Sequence, residues 1–298
     1  MIMNKGVAIT FIVILSIIAI ALTGGFIFLL RSNFSWSSFN FSLGSYSEKL
    51  IEKKTYNIGN DINLDTKALD IYVEESEDNS ITVELYSEKD VDYSFNEDVE
   101  NEIVNIKAHI NNYISFGIFT KSPRLVVKIP KDYSRKLIID SKVGDIHIAS
   151  FDTLTTSIKN STGDIKIDNV YDATIDVGTG DVKIEEVKIL NVKQGTGDIK
   201  INTVDSIEVN ANTGDVKIQK VNNKMNITNG TGDIKIQEAN ITENSNVSTR
   251  IGDIKINSLT GAYIEASNKV GDIKVNNNDR HLELTCTVYT NTGDIRIN

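Results

Sequence analysis

Apolar and polar residues alternate with a period of two from about residue 55 onward. Leu69, Ile71 and Val73, for example, are separated by polar residues. Runs of this kind lie at residues 69–73, 81–85, 103–110 and 125–129. Alternation between turn residues is typical of half-buried β-strands, so the pattern predicts an N-terminal β region over residues 55–135. It predicts no amphipathic helix after residue 55.

A second pattern repeats nine times from residue 144 to the end of the sequence. Each copy has Gly, then Asp, then Ile or Val, usually Lys, and Ile or Val again. The glycines are Gly144, Gly163, Gly180, Gly197, Gly214, Gly232, Gly252, Gly271 and Gly293. The copies follow one another at 17 to 22 residues, and periods near 20 indicate stacked supersecondary units.

The chemistry of one unit predicts how it folds. Gly tolerates a positive φ and Asp bonds to nearby backbone, so Gly-Asp is a turn. The two β-branched residues that follow lie on one face of a short strand. One unit cannot bury its apolar face alone, whereas a stack of units buries a continuous core. We therefore expect an all-β fold, a single-stranded β-solenoid (β-helix-like) of about nine 17–22-residue coils, over residues 136–298.

Stacking at about 4.8 Å brings equivalent residues of the coils together in rows. The nine aspartates form one row, and the basic residues two positions later form a second. We expect the two rows to neutralise each other on a solvated face, since a bare row of like charges is destabilising. Calcium is the alternative reading of the aspartates. Each turn offers only one carboxylate with a Lys nearby, whereas Ca²⁺ requires six to eight oxygens.

The N-terminal residues predict a membrane location. Residues 6–30 carry no charge, and as a helix they rise about 37 Å, enough to cross a bilayer core of about 30 Å. We expect residues 1–30 to be a transmembrane anchor, with a cleaved signal peptide as the alternative. Residues 31–54 are interpreted as a linker. The C-terminal domain would then be extracytoplasmic, on a single-pass protein of the cell membrane.

Composition and candidate chemistry limit the function classes. The net charge is −10 and the sequence pI about 4.9, which argues against nucleic acid as a partner. His109, His147 and His281 are scattered without metal-ligand spacing, and the single Cys286 alternates with apolar residues as a core residue does. No catalytic, cofactor-binding or metal residue is predicted, and we expect the protein not to be an enzyme.

The end of the array is a further candidate. The sequence stops at Asn298, directly after a repeat motif, and the last spacing is the longest at 22 residues. An uncapped terminal coil exposes a β-edge, which natural proteins usually protect. The final coil is thus expected to be a modified cap, or its edge to pair with another copy or a partner strand.

A membrane span, a β region ending in Leu-Val-Val-Lys-Ile-Pro at residues 125–130, and tandem Thr-Gly-Asp-Ile-Lys-Ile units together resemble the bacterial DUF4097 family. Its members are β-strand-repeat proteins and putative adhesins. The resemblance covers residues 55–298 and implies a β-solenoid and an envelope location. It implies no activity, and the family has no catalytic residues to carry over.

Three functions follow as expectations. The first is a non-enzymatic extracytoplasmic binding or scaffolding module, anchored in the bacterial cytoplasmic membrane through residues 6–30, with a protein or cell-wall ligand. The second is an accessory or sensor component of an envelope-stress signalling system. The third is a carbohydrate-active β-helix enzyme, although such an enzyme would usually interrupt the repeat with a loop rich in titratable groups.

Overall fold

The computed structural model describes residues 48–57, 59–87, 92–110 and 122–298. Within these ranges the chain forms 21 β-strands and no helix, which confirms the predicted all-β class. The strands are β1 (Lys49–Tyr56), β2 (Asp61–Ala68), β3 (Asp70–Glu75), β4 (Ile81–Ser87), β5 (Tyr93–Glu100), β6 (Ile103–Ile110), β7 (Arg124–Ile129), β8 (Lys136–Val143), β9 (Ile146–Thr162), β10 (Ile165–Thr179), β11 (Val182–Thr196), β12 (Ile199–Thr213), β13 (Val216–Thr231), β14 (Ile234–Asn240), β15 (Ser245–Ile251), β16 (Ile254–Ile256), β17 (Leu259–Thr260), β18 (Tyr263–Val270), β19 (Ile273–Val275), β20 (Thr285–Thr292) and β21 (Ile295–Ile297).

The long strands β9 to β13 stack in parallel and form the body of a β-solenoid. Ile165 of β10 lies beside Val182 of β11, which in turn lies beside Ile199 of β12. Each of these side chains is buried. Because the same row of every coil carries an aliphatic residue, stacking produces one continuous core. The predicted solenoid of nine glycine-marked coils is confirmed.

The glycine at each corner is required for two reasons. Its φ lies between 129° and 148° in all nine copies, a region that side chains rarely tolerate. The glycines also stack directly on one another. A Cβ added at Gly180 would lie 2.1 Å from the carbonyl oxygen of Gly163, and the other corners are equally tight. The sequence predicted the positive φ; the close approach between coils is an additional constraint.

At the N-terminal end of the solenoid, the order of the coils differs from the order of the sequence. The coil formed by β2 and β3 lies between two later segments: β2 pairs in parallel with β6 and β8, and β3 with β7 and β9. The parallel stack therefore continues across residue 135, where the sequence had indicated a domain boundary. Antiparallel strands cover the outside, because β4 pairs with β7 and β1, and β5 pairs with β6. Strand β1 includes residues 49–54, which the sequence analysis assigned to the linker.

A buried carboxylate fastens these covering strands. The side chain of Glu84 is only 4% exposed and forms ion pairs with Lys53 at 3.0 Å and Lys128 at 3.1 Å. Burial alone would raise the pKa of Glu84, but the two lysines and a hydrogen bond from the Tyr86 hydroxyl lower it. Arg124 lies 4.9 Å over the Tyr86 ring. These contacts tie β1, β4 and β7 together.

The C-terminal end shows the same exchange of order. Strand β20 lies between β15 and β18, and β21 lies between β16 and β19, with every pairing parallel. The final coil, residues 285–297, is thus inserted beneath the coil that precedes it in sequence. The expectation that the C-terminal coil forms the exposed β-edge is therefore wrong. That edge belongs to β18 and β19.

The predicted transmembrane residues 6–30 lie outside the described ranges. Among the residues that are described, no helix is long and apolar enough to cross a membrane.

Candidate functional site

The aspartates of the repeat form the first of three rows on one outer face of the solenoid. The row adds Asp70 to the nine predicted residues, and the carboxylate Oδ1 of each member accepts a hydrogen bond of 2.8–3.0 Å from the backbone N–H of the next. In spatial order the aspartate row is Asp70, Asp145, Asp164, Asp181, Asp198, Asp215, Asp233, Asp253, Asp294 and Asp272. The predicted row is confirmed.

These backbone bonds explain how carboxylates tolerate being stacked. The backbone N–H of Asp253 lowers the pKa of Asp233. Partial burial of Asp233 acts in the opposite direction, and Lys235 lowers the pKa further. At Asp215 burial would raise the pKa, but the N–H of Asp233 and the ammonium of Lys217 outweigh it and lower the pKa. A hydrogen bond to the charged form favours that form. The row is therefore stabilised by the backbone as well as by the basic residues.

The basic residues form the second row, here named the lysine row. Its members in spatial order are His147, Lys166, Lys183, Lys200, Lys217, Lys235, Lys255, Arg296 and Lys274. Lys217 contacts Asp215 at 3.0 Å and Lys235 contacts Asp233 at 3.0 Å, as the predicted compensation requires. Nearer the N-terminal end the partners change: Lys183 pairs instead with Glu185 at 2.7 Å.

A third row, which the sequence analysis missed, lies beside the lysine row. In the C-terminal half it consists of amides, five residues after each glycine, and we name it the amide row. Its members are Asn202, Gln219, Gln237, Asn257, Asn298 and Asn276. Asn257 donates to Gln237 at 2.5 Å and Asn276 donates to Asn298 at 2.7 Å. The recurrence of Asn or Gln at a fixed distance from the glycine is the signal that identifies it.

Between the lysine and amide rows lies a shallow, open groove of about 310 Å³. Its polar lining comes from three successive coils: Lys217, Gln219, Lys235, Gln237, Lys255 and Asn257. Two other grooves, of about 450 and 440 Å³, lie near the N-terminal end, and acidic residues dominate the second of these. The groove of the lysine and amide rows differs from both because the same side-chain types recur coil after coil.

The candidate reactive residues occupy ordinary structural positions. Cys286 is fully buried in β20, and burial raises the pKa of its thiol to about 12. His147 lies 3.2 Å from Asp168 and meets the Tyr72 ring edge-on. Within the described ranges, no three His, Cys, Asp or Glu side chains lie close enough to hold a metal ion. The rows of the outward face do form hydrogen bonds and ion pairs, such as Asn257 with Gln237 and Lys217 with Asp215.

Stacked parallel coils, Gly-Asp corners and a row of backbone-bonded aspartates define a class of repeat β-solenoid. The chain belongs to the Toastrack DUF4097 family, whose model matches residues 59–190 and 186–298. This confirms the family assigned from the repeat motifs.

Several solved structures are similar to the chain at low sequence identity. A putative adhesin from Bacteroides fragilis NCTC 9343 is 18% identical over 85% of this chain and 98% of its own, with a TM-score of 0.40. A putative lipid binding protein from Parabacteroides distasonis ATCC 8503 is 15% identical over 83% of this chain and 96% of its own, with a TM-score of 0.34. No curated protein matches the sequence.

Proposed function

We propose that this protein is a non-enzymatic binding module of the bacterial cell envelope, and that it holds an extended ligand along the groove between its lysine and amide rows. The observation that carries the proposal is the recurrence of one lysine and one amide in each coil that lines the groove. A ligand that fits one coil therefore meets the same chemistry in the next.

The chemistry of the lining favours a polymer rich in hydroxyl and carbonyl groups, such as a cell-wall glycan. Lysine ammonium groups donate hydrogen bonds, and each amide both donates and accepts. Ion pairs with the aspartates neutralise part of the lysine charge, for example at Lys217 and Lys235. That compensation favours hydrogen bonding over a purely electrostatic attraction for polyanions. Contacts repeated along a rigid rod also add up by multivalency.

The proposed location follows from the N-terminal sequence. Residues 6–30 would anchor the chain in the cytoplasmic membrane, and the solenoid would lie on its outer side. The nine glycine-marked layers, at about 4.8 Å each, account for roughly 40 Å of the length of the rod. Such a rod would present the groove to wall polymer while the chain stays attached to the membrane.

Binding is tested by co-sedimentation of the full-length protein, in detergent, with insoluble purified cell wall. The test variant replaces Lys217, Lys235 and Lys255 by Gln. We expect its affinity to fall by at least about tenfold, because each lost hydrogen bond contributes about 0.5–1.5 kcal/mol and 1.4 kcal/mol is tenfold.

A matched control replaces three exposed lysines of the other sheet face, Lys142, Lys159 and Lys193, by Gln. This variant should bind as the wild type does. Equal loss in both variants, or no binding by the wild type at any salt concentration, would refute the proposal. Thermal melting of both variants should stay close to that of the wild type.

The location is tested separately with a Ser248→Cys variant. Ser248 lies on the outer face of β15, whereas the native Cys286 is buried. A membrane-impermeant maleimide should label Cys at position 248 in intact cells and leave the wild type unlabelled. Labelling only after lysis would place the solenoid on the cytoplasmic side and contradict the proposal.

A further inference from the structure

Within the ranges that the structure describes, the solenoid ends at β18 and β19, and this end is open. Among the described residues, β18 pairs only with β20, and β19 pairs only with β21. Core positions are uncovered here: Ile273 is 44% exposed, whereas Ile254 and Ile295 in the same row are fully buried. The opposite end is covered by antiparallel strands. An edge of this kind is normally protected by a partner strand or a cap.

The backbone of β18 shows which groups are available on the open side. The N–H of Tyr263 bonds to Leu284 at the inner side. On the outer side, the side-chain amide of Asn278 bonds both the N–H and the C=O of Ile264, at 2.8 and 2.9 Å. Backbone groups alternate in direction along a strand. Those of Ala266 and Asn268 therefore point outward, beyond the stretch that Asn278 caps.

The side chains around these two residues carry a charge pattern that is self-complementary about Ser267. Glu265 and Lys269 lie on the same outward-facing side of β18, two positions on either side of Ser267, and all three are exposed. When two copies of β18 run antiparallel about a two-fold axis at Ser267, Glu265 of each copy lies opposite Lys269 of the other. If one copy of β18 is shifted by two residues along the other, each of these charged side chains lies opposite an uncharged residue instead.

The backbone and the charges select the same alignment. Around Ser267, Ala266 of one copy and Asn268 of the other form hydrogen-bonded pairs, using the groups that point outward. Glu265 and Lys269 then fall in the non-hydrogen-bonded pair, where facing side chains are closest. Opposite charges at facing positions stabilise a sheet, and like charges destabilise it.

We infer that a second copy of this chain covers the open end, with β18 of the two copies pairing antiparallel about a two-fold axis at Ser267. Such an isologous contact closes on itself and yields a dimer. This inference concerns the end of the solenoid and does not depend on the proposed groove.

The alignment is tested with a Ser267→Cys variant of the full-length protein in detergent. Identical residues at the axis would have Cα atoms about 4.5 Å apart, within the range that a disulfide spans. Mild oxidation should give a disulfide-linked dimer on a non-reducing gel. Ser248→Cys is the matched control, because Ser248 occupies the same row two coils further in.

We expect at least about tenfold more linked dimer from Ser267→Cys than from Ser248→Cys, because only the former lies within disulfide distance of its counterpart. Equal yields from the two variants would overturn the inference. That result would hold even if the protein formed a dimer through another surface, because such a dimer would not bring the two copies of residue 267 together. Detergent-induced association affects both variants alike and is therefore controlled.

Charge reversal tests the pairing without cysteine. Glu265→Lys places like charges opposite each other twice in the dimer, so the dimer Kd should rise by about tenfold in sedimentation velocity. The double variant, Glu265→Lys with Lys269→Glu, restores opposite pairs and should recover the wild-type Kd. A wild type that stays monomeric, or a double variant as weak as the single one, would overturn the inference.

Discussion

The backbone N–H of Asp272 donates a 3.0 Å hydrogen bond to the carboxylate of Asp294, which follows it by 22 residues in the sequence. The N–H of Asp294 in turn donates to Asp253 at 2.8 Å. The aspartate row thus runs from 253 to 294 and only then to 272. The order of these hydrogen bonds shows that the last coil is inserted beneath the coil that precedes it in the sequence.

This order can be tested with pairs of cysteines. Asn246 and Thr287 are neighbours across β15 and β20, whereas Asn246 and Glu265 are separated by β20. Strands lie about 4.8 Å apart, and a disulfide does not span Cα atoms more than about 7 Å apart. The double variant Asn246→Cys with Thr287→Cys should form an internal disulfide. Asn246→Cys with Glu265→Cys should not.

Peptide mass mapping under oxidising conditions identifies the linked residues and distinguishes them from Cys286. If the coils were stacked in sequence order, residues 246 and 265 would be neighbours instead. The reverse result would therefore show that the final coil is not inserted.

Replacing Gly180 by Ala should destabilise the solenoid strongly. The new Cβ would lie 2.1 Å from the carbonyl oxygen of Gly163, and the φ of 145° is already unfavourable for a side chain. Backbone strain alone contributes about 1–3 kcal/mol, and the clash adds to it. The urea unfolding midpoint should fall clearly. Gly59→Ala is the control, since nothing lies within 4 Å of its added Cβ; similar midpoints for both variants would disprove the role of the stacked corner.

Asn229 stabilises a corner from the inside. Its side chain is 2% exposed and its Nδ2 donates to the carbonyl oxygens of Gly214 at 2.8 Å and Gly232 at 3.2 Å. Asn229→Ala leaves these oxygens without that donor, so we expect a loss of about 1–3 kcal/mol in the free energy of unfolding. Asn226→Ala, on the outer side of the same strand, should lower the free energy of unfolding much less. An equal effect of the two substitutions would show that the buried amide is not special.

The aspartate row should make stability depend on pH. The pKa of Asp233 is lowered in the folded protein, so its contribution is fully present above its unfolded pKa of about 3.9. That contribution is lost as the pH falls through the lower, folded pKa. The urea midpoint of the wild type should therefore fall below about pH 4.

Asp233→Asn keeps an oxygen acceptor but cannot titrate. Its urea midpoint should change less between pH 6 and 2 than that of the wild type. Asp176→Asn, an exposed aspartate of the other sheet, should retain the wild-type slope. A wild-type slope in the Asp233 variant would mean that the row does not govern the acid response.

The sequence predicted the features that every coil shares, because each follows from local chemistry repeated nine times. The Gly-Asp corner, the aliphatic core and the charged rows all belong to this group. The order of the coils could not be predicted in this way. Each coil presents nearly the same apolar pattern to both neighbours, so the pattern of Ile254, Ile273 and Ile295 is compatible with more than one stacking order.

Other features were missed because their signal lies between coils. Asn160, Asn229 and Asn268 each stand three residues before a glycine and donate to the glycine carbonyls of neighbouring coils. As isolated polar residues in a strand they resemble surface positions. Strand β1 was missed for a related reason. It is held by pairing with β4, about 30 residues away, and its own sequence carries no clear strand pattern.

The exchange of coils at both ends limits how the molecule can fold as it is synthesised. Residues 61–75 pair with β6 and β7, so this contact forms only after residue 129 has been synthesised. Residues 263–275 pair with β20 and β21, so they reach their final position only once residues 285–297 are present. The body of the solenoid can grow one coil at a time as the chain is synthesised. The coils of β18 and β19 cannot, so completion of this end of the solenoid is a late kinetic step that requires residues 285–297.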